Sequence, residues 1–340
     1  VITQIMLIKV KLFFIFKVTN ISIFLLNEKG NKMSLTASMV KELREKSGAG
    51  MMDCKKALTE NNGQMEEAID WLRKKGLASV SKKSGRVAAE GLVGITIKNN
   101  SGIILEINSE TDFVARNEIF QNFVKTCCEL ALSNKSDVES LKSLTYPDSG
   151  RTVEQELANN IATIGENMNI RRLEFLDVNE GGLFSYIHNN VADGLGRLGV
   201  LVALESKLGM DDLSTIGKQI AMHIAATSPK SLSIEDLDKN IVDRERQVLT
   251  DQAIASGKPK EIANKIVEGR MHKFFQEVVL NEQISVLDGE TKIKDVVKKL
   301  SNEKGFDIKL KGFKIIKLGD GIEVEETNFA EEVAATASKN

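Results

Sequence analysis

An acidic and an aromatic side chain stand next to each other at Asp112 and Phe113, within the segment Thr111-Asp112-Phe113-Val114. An apolar ring at a solvent-facing corner lowers solubility unless a partner covers it, so the pair points to a protein-binding site. A purely structural interpretation is also open. In it, Thr111 or Asp112 caps the following helix and Phe113 folds back on that helix as a hydrophobic staple.

The elements that must position this pair are a strand before it and a helix after it. Apolar residues alternate with other residues along the predicted strand, and they recur at three- and four-residue spacing along the predicted helix. The alternating residues are Ile103, Leu105 and Ile107, and those of the helical stripe are Phe120, Phe123, Val124 and Cys127.

The composition indicates a folded protein that does not bind nucleic acid through bulk charge. The chain has 340 residues, of which 42% are hydrophobic and 28% are charged, enough for two or three compact units. Its net charge is -2, whereas nucleic-acid-binding domains are usually basic.

Residues with catalytic or metal-binding chemistry are few and scattered. The three cysteines (Cys54, Cys127 and Cys128) have neither zinc-ligand spacing nor the pattern of a disulfide framework, which indicates a reducing compartment. There is no phosphate-binding glycine loop and no nucleophile elbow. The sequence therefore predicts no cofactor, no metal site and no enzyme.

Two histidines lie in different sequence contexts. His188 ends a strand-like run before a glycine-rich loop, where a structural role and an exposed functional role both fit. His223 lies among apolar residues of a helical pattern, which favours packing. The linker residues Lys82, Lys83 and Arg86 are expected to be solvated, with phosphate contact as the alternative.

Residues 1–32 are expected to be an over-extended, non-native N-terminal segment, with the start at Met33. Its apolar part, Val1–Leu26, is interrupted by three lysines, and the segment has neither a small-residue cleavage site nor the arginines of a mitochondrial presequence. A targeting segment is the alternative. The rest of the sequence contains no stretch that could span a membrane.

The remaining pattern predicts an α+β fold. Residues 33–76 are predicted to form a small three-helix binding module, and 77–89, which are small, polar and basic, a linker. An internal repeat follows, in which each unit is a β-hairpin covered by a helix. The predicted boundaries are 90–173 for the first core subdomain, 174–235 with 281–327 for the second, 236–280 for an antiparallel helical hairpin, and 328–340 for a short C-terminal helix.

Several motifs, in this order, resemble the bacterial elongation factor Ts family over essentially all of Met33–Asn340. The resemblance implies guanine-nucleotide exchange on the GTPase elongation factor Tu during protein biosynthesis. The motifs are Leu43-Arg44-Glu45, Ser47–Leu58, Thr111–Asn117, Ile164–Asn167 with Arg171-Arg172, Ser256–Ile262 and Val267–Met271.

The resemblance also implies roles for particular residues. Phe113 would wedge between side chains of the GTPase, and Thr111–Val114 with Asp112 would disturb its Mg²⁺ site. Further contacts are implied in the N-terminal ubiquitin-associated-like (UBA-like) domain, a second glycine turn, a histidine and the C-terminal helix. These contact residues are Gly48, Ala49, Gly50, Met51, Met52, Ile164, Gly165, Glu166, Asn167, His188 and Phe329.

Two features depart from the family pattern. The loop Asn189–Gly199 is longer than in compact members, and residues 1–32 have no counterpart. The helical hairpin resembles the coiled coil of the family, which implies either a homodimer, as in a 2:2 complex, or further GTPase contacts.

Neither nucleic acid nor membrane is expected as a partner, and the expected location is the bacterial cytoplasm, with a mitochondrion as the alternative. Two other function classes stay open. The first is a UBA-type adaptor or scaffold without exchange activity, which would bind regardless of nucleotide. The second is an enzyme with its site between the two repeated halves.

Overall fold

The computed structural model describes residues 35–257 and 259–323, so the predicted segments 1–32 and 328–340, including Phe329, lie outside the described residues. The chain divides into two compact units, Val1–Ala78 and Ser79–Asn340. Mixed helix and sheet confirm the predicted α+β class. The helices are α1 (Ala37–Ser47), α2 (Met51–Glu60), α3 (Met65–Lys83), α4 (Glu118–Asn134), α5 (Val138–Ser143), α6 (Val153–Ile164), α7 (Met210–Thr227), α8 (Lys239–Ala255), α9 (Lys260–Val278) and α10 (Ile293–Lys304).

The N-terminal unit is built from α1, α2 and the first part of α3. Thr36 caps α1 by accepting a hydrogen bond from the Met39 N–H, and Gly48 ends it in the left-handed region at φ 70°. Such a cap favours glycine because a Cβ is strained there. A small core centred on Leu43 and Leu58 holds the three helices together.

The third helix continues through Gly76, where the sequence predicted its end, and enters the predicted linker 77–89 as far as Lys83. Residues 77–83 contain no proline or glycine, and a single glycine costs a helix only about 1 kcal/mol. Val80 packs against a core of the second unit, which gives this last part of α3 a tertiary contact.

The second unit contains two antiparallel sheets. One has the strand order β3-β2-β1-β5 and the other β4-β6-β7. The strands are β1 (Glu90–Lys98), β2 (Ser101–Ser109), β3 (Met168–Asp177), β4 (Gly181–His188), β5 (Leu195–Gly196), β6 (Leu198–Glu205) and β7 (Lys309–Lys317).

Strand β2 is buried on both faces, which explains its nearly continuous apolar sequence. Its residues Ile103, Leu105 and Ile107 pack with α4 in one core. Ile104, on the opposite face, packs with Leu201 of the second sheet. The two sheets therefore lie face to face, and the strand that leads into the Asp112–Phe113 pair is held from both sides.

The second sheet is covered on its other face by α7 and α10. Phe184 of β4 lies so close to α7 that a Cβ at Gly217 would come 2.2 Å from the ring carbon Cγ. A glycine at this helical position therefore sets the distance between helix and sheet.

The described strands do not follow the predicted subdomain boundary between residues 173 and 174. Strand β3 crosses that boundary without a break, and β5, from the predicted second subdomain, pairs with β1 of the first sheet. Hydrogen bonding between strands is decided by neighbouring edges in space, and local periodicity carries no information about it.

The helical hairpin 236–280 consists of α8 and α9, which pack through an apolar seam. Leu249 and Ala253 of α8 meet Val267 and Met271 of α9. An ion pair between Arg246 and Glu268 joins the same two helices on their exposed side.

Candidate partner-binding site

Phe113 lies on the surface, between a buried strand and a buried helix. After β2 the chain turns at residues 111–113 and forms one short helical turn at Val114–Arg116. Val114 and Ala115 are buried in the first core, whereas Phe113 is 76% exposed. The structure thus anchors the chain just after the aromatic ring and leaves the ring itself uncovered.

The structural interpretation of this segment is wrong. Asn117 caps α4, and its side-chain oxygen accepts hydrogen bonds from the N–H groups of Ile119 at 2.9 Å and Phe120 at 3.4 Å. Thr111 and Asp112 therefore do not cap the helix, and a ring exposed to this extent is not a hydrophobic staple.

Thr111 is held by Glu166, which is 55 residues further along the chain. The backbone N–H of Thr111 donates to Oε2 of Glu166 at 2.9 Å, and its hydroxyl donates to Oε1 at 2.6 Å. Two predicted site segments therefore meet, and the contact fixes the residue just before the Asp112–Phe113 pair.

The residues next to Thr111 and Glu166 form a second contact, in which the first segment provides the carboxylate and the second segment provides the N–H donor. Glu110 accepts a hydrogen bond from the backbone N–H of Asn167 and lies 3.4 Å from the guanidinium of Arg86. The side chain of Asn167 in turn donates to the carbonyl oxygen of Arg86 at 2.8 Å. Arg86, predicted to be a solvated linker residue, therefore takes part in the support of the site.

Asp112 is exposed and lies within electrostatic reach of Arg197. Arg197 donates to both carboxylate oxygens of Glu90, which raises the pKa of its guanidinium, and the charge of Asp112 adds to this shift. The carboxylate beside Phe113 thus interacts electrostatically with a permanent cation of its own chain.

His188 is exposed at the end of β4. Its ring nitrogen Nδ1 lies 3.2 Å from the Tyr186 hydroxyl, and its carbonyl oxygen accepts from the Arg197 N–H at 3.2 Å. Arg197 therefore interacts with both predicted site residues, with His188 through a backbone hydrogen bond and with Asp112 through its charge.

The predicted contact turn Gly48–Met52 belongs to the N-terminal unit. Ser47 and Cys54 organise it: the Ser47 hydroxyl accepts from the Ala49 N–H at 3.2 Å, and the Cys54 thiol donates to the Ala49 carbonyl at 3.6 Å. Met51 and Met52 are 57% and 75% exposed at the start of α2. Their side chains are available to another surface.

The second predicted glycine turn is partly structural. Ile164 packs against the first core, and Gly165 ends α6 in the left-handed region at φ 95°. A Cβ at Gly165 would meet no other atom within 4 Å, so backbone conformation rather than crowding favours glycine here. The turn places the Glu166 carboxylate within hydrogen-bond distance of Thr111.

Three charged residues at this site were not among the predicted contacts: Arg86, Glu110 and Arg197. Glu110 directly precedes the Thr111–Val114 segment, and that adjacency was its only local signal. Within residues 35–257 and 259–323, no cluster of histidine, cysteine and acidic residues could hold a metal ion. No helix in that part of the chain is long and apolar enough to cross a membrane.

The described fold and site define an α+β protein with an exposed aromatic residue on a turn that hydrogen bonds hold in place. Residues 110–320 match the sequence model of the family described as Elongation factor TS. Relatives named elongation factor Ts are 57% identical in Rhodospirillum centenum (89% of this chain, 99% of the relative) and 56% identical in Rhodospirillum rubrum (90% and 99%). A third, from Paramagnetospirillum magneticum, is 54% identical over 89% of this chain and 97% of its own length.

The chain therefore belongs to the elongation factor Ts family. Membership confirms the predicted resemblance and implies the role of a guanine-nucleotide exchange factor for elongation factor Tu in protein biosynthesis. Such a factor is not a catalytic enzyme, since exchange makes and breaks no covalent bond.

Proposed function

We propose that this protein releases GDP from elongation factor Tu by pressing the Thr111–Val114 turn against the nucleotide site of the GTPase. The exposure of Phe113 between buried neighbours is the observation that carries this proposal. In it, the Phe113 ring enters a cleft of the GTPase, and the Asp112 carboxylate disturbs the water ligands of the GTPase's Mg²⁺.

The energetic need for such a factor follows from the lifetime of a tight nucleotide complex. A GDP held at nanomolar affinity, with an association rate constant of about 10⁶ M⁻¹s⁻¹, leaves at only about 10⁻³ per second. Each 1.4 kcal/mol or so of destabilisation of bound GDP accelerates release about tenfold. A binding protein can supply this free energy if its contacts with the GTPase are stronger when GDP is absent than when GDP is bound.

The remaining predicted contacts extend this interface. We assign partner contacts to the Gly48–Met52 turn, to His188 and to three residues of the second glycine turn, which are Ile164, Gly165 and Asn167. Exposed Met51 and Met52 support the first assignment, because flexible thioether side chains adapt to a partner surface. Phe329 stays a prediction from the resemblance.

The proposed setting is the bacterial cytoplasm, where elongation factor Tu works. The α8–α9 hairpin is proposed as the surface for a homodimer or for further GTPase contacts. Exposed Ile254 and Ile262 near its tip support such a role.

The test is stopped-flow release of fluorescent GDP from the GTPase by the parent protein and by Phe113→Ala. Truncating an aromatic at the centre of an interface costs about 2 kcal/mol or more, so release should slow by roughly thirtyfold. Phe306→Ala is the matched control, since Phe306 is a 46% exposed phenylalanine outside the proposed site. Its release rate should equal that of the parent.

Equal GDP release rates with Phe113→Ala and with the parent would refute the proposal that the Phe113 ring enters a cleft of the GTPase. A parent that binds the GTPase with or without nucleotide, and leaves the GDP release rate unchanged, would instead support the adaptor.

A further inference from the structure

Two segments beside the Thr111–Val114 turn each provide a carboxylate that accepts hydrogen bonds from the other segment. Glu166 accepts from the Thr111 N–H and hydroxyl, while Glu110 accepts from the Asn167 N–H. We call these hydrogen bonds, between Glu110-Thr111 and Glu166-Asn167, the reciprocal clasp. It joins the end of β2 to the turn between α6 and β3.

The reciprocal clasp restrains the backbone directly before the exposed Asp112–Phe113 pair. Phe113 and Asp112 are exposed and belong to no apolar core among the described residues, whereas Thr111 lies directly before them. A carboxylate that accepts from a backbone N–H forms a charge-assisted hydrogen bond, which is stronger than a neutral one. Both oxygens of Glu166 are engaged on Thr111.

We propose that Glu166 is a positioning residue, and that it acts on nucleotide exchange through Thr111 rather than by touching the GTPase. The proposal rests on the exchange function proposed above. The clasp fixes the Thr111–Phe113 turn in its binding conformation before the partner arrives, so less conformational entropy is lost on association.

This role predicts a particular kinetic pattern. Without the clasp the turn samples more conformations, so more protein is needed for half-maximal acceleration of GDP release. Once bound, the turn adopts the same conformation, and the maximal rate changes little. A residue that touches the Mg²⁺ region would lower the maximal rate itself.

The experiment uses the full chain with Glu166→Gln, Thr111→Val and the double variant, assayed by release of fluorescent GDP over a range of concentrations. Thr111→Val removes the hydroxyl donor and keeps the backbone N–H. Glu154→Gln, an exposed glutamate on α6, is the matched control. Amide hydrogen exchange of Thr111 and Asn167 reports on the clasp without the GTPase.

For Glu166→Gln, we expect the half-maximal concentration to rise about tenfold, the magnitude of one lost charge-assisted hydrogen bond, with a maximal rate within about twofold of the parent. The Thr111 amide should exchange about tenfold faster. The double variant should resemble Glu166→Gln, because both changes remove the same interaction.

Multiplying effects in the double variant, or a lowered maximal rate with unchanged Thr111 amide exchange, would overturn the positioning role and make Glu166 a direct contact. Failure of the proposed function looks different. In that case the parent itself would not accelerate GDP release, whatever the amides show.

Discussion

Glu106 of β2 offers a sharp test of how the two sheets are joined. Its carboxylate is fully buried and accepts from Arg172 at 2.6 Å, from Arg171 at 3.1 Å and from the backbone N–H of Gly319 at 2.8 Å. The same arginines donate to the carbonyl oxygens of Lys317, the last residue of β7, and of Asp320 just beyond it. One buried charge thus links the first sheet to the end of the last strand.

The perturbation is Glu106→Gln, which keeps the shape, removes the charge and turns one acceptor into a donor facing other donors. Breaking a buried ion pair costs about 3–5 kcal/mol. The side chains of Arg171 and Arg172 are 23% and 36% exposed, so water compensates them in part. We therefore expect a loss of about 3 kcal/mol in the free energy of unfolding, the lower end of that range.

Urea denaturation followed by circular dichroism measures this loss. With a slope of about 3 kcal/mol per M, the midpoint should fall by about 1 M at an unchanged slope. Glu174→Gln is the control, since its pair with Lys314 is exposed on the same two sheets and contributes about 1 kcal/mol or less.

The pH dependence gives a second check. Burial opposes the charge of Glu106, but hydrogen bonds from Gly319, Asn108 and Arg172 outweigh it and lower the pKa of the carboxyl. A lowered pKa in the folded state stabilises the protein at neutral pH, and the stabilisation is lost as the pH falls below the ordinary value. The difference between parent and variant should shrink in acid. A difference under about 1 kcal/mol at pH 7 would refute this account of the network.

Two further predictions concern packing and buried polar contacts. Gly217→Ala should destabilise by about 2 kcal/mol, because its Cβ would overlap the Phe184 ring, whereas Gly269→Ala in α9 meets open space and should stabilise by up to about 1 kcal/mol. Thermal melts show whether each substitution lowers or raises the melting temperature. Equal shifts in the two variants would contradict the close approach of Gly217 to Phe184. Buried His223 accepts from the Val286 N–H at Nδ1, so its protonated Nε2 donates to Gln283 and the ring is neutral. Burial lowers the pKa of His223, so stability should fall as the pH drops below about 6.5, and His223→Gln should lose that dependence in urea titrations at pH 5 to 8. An identical pH profile in parent and variant would contradict this.

Local pattern predicted the elements around the site well. The alternation at Ile103, Leu105 and Ile107 corresponds to one buried face of β2, and the stripe from Phe120 to Cys127 corresponds to the buried face of α4. Both periods arise from backbone geometry within a single element, so they can be read from neighbouring residues alone. The family motifs were likewise local.

Local pattern failed where an element's end depends on distant contacts. Gly76 was expected to end α3, but the helix continues to Lys83. Val80, in this last part of the helix, packs against the first core. The subdomain boundary at 173 was drawn between two similar repeats, whereas β3 crosses it because its whole length pairs with β2.

The sequence by itself determined the α+β class, the family and the position of an aromatic ring at a strand-to-helix corner. Only the tertiary structure decided that Phe113 is exposed, that Glu166 supports Thr111 and that the charges of Arg197 and Asp112 interact. These two interactions join residues 55 or more positions apart. Local periodicity sets which face of an element is apolar, but packing of whole sheets and helices sets which faces and turns meet.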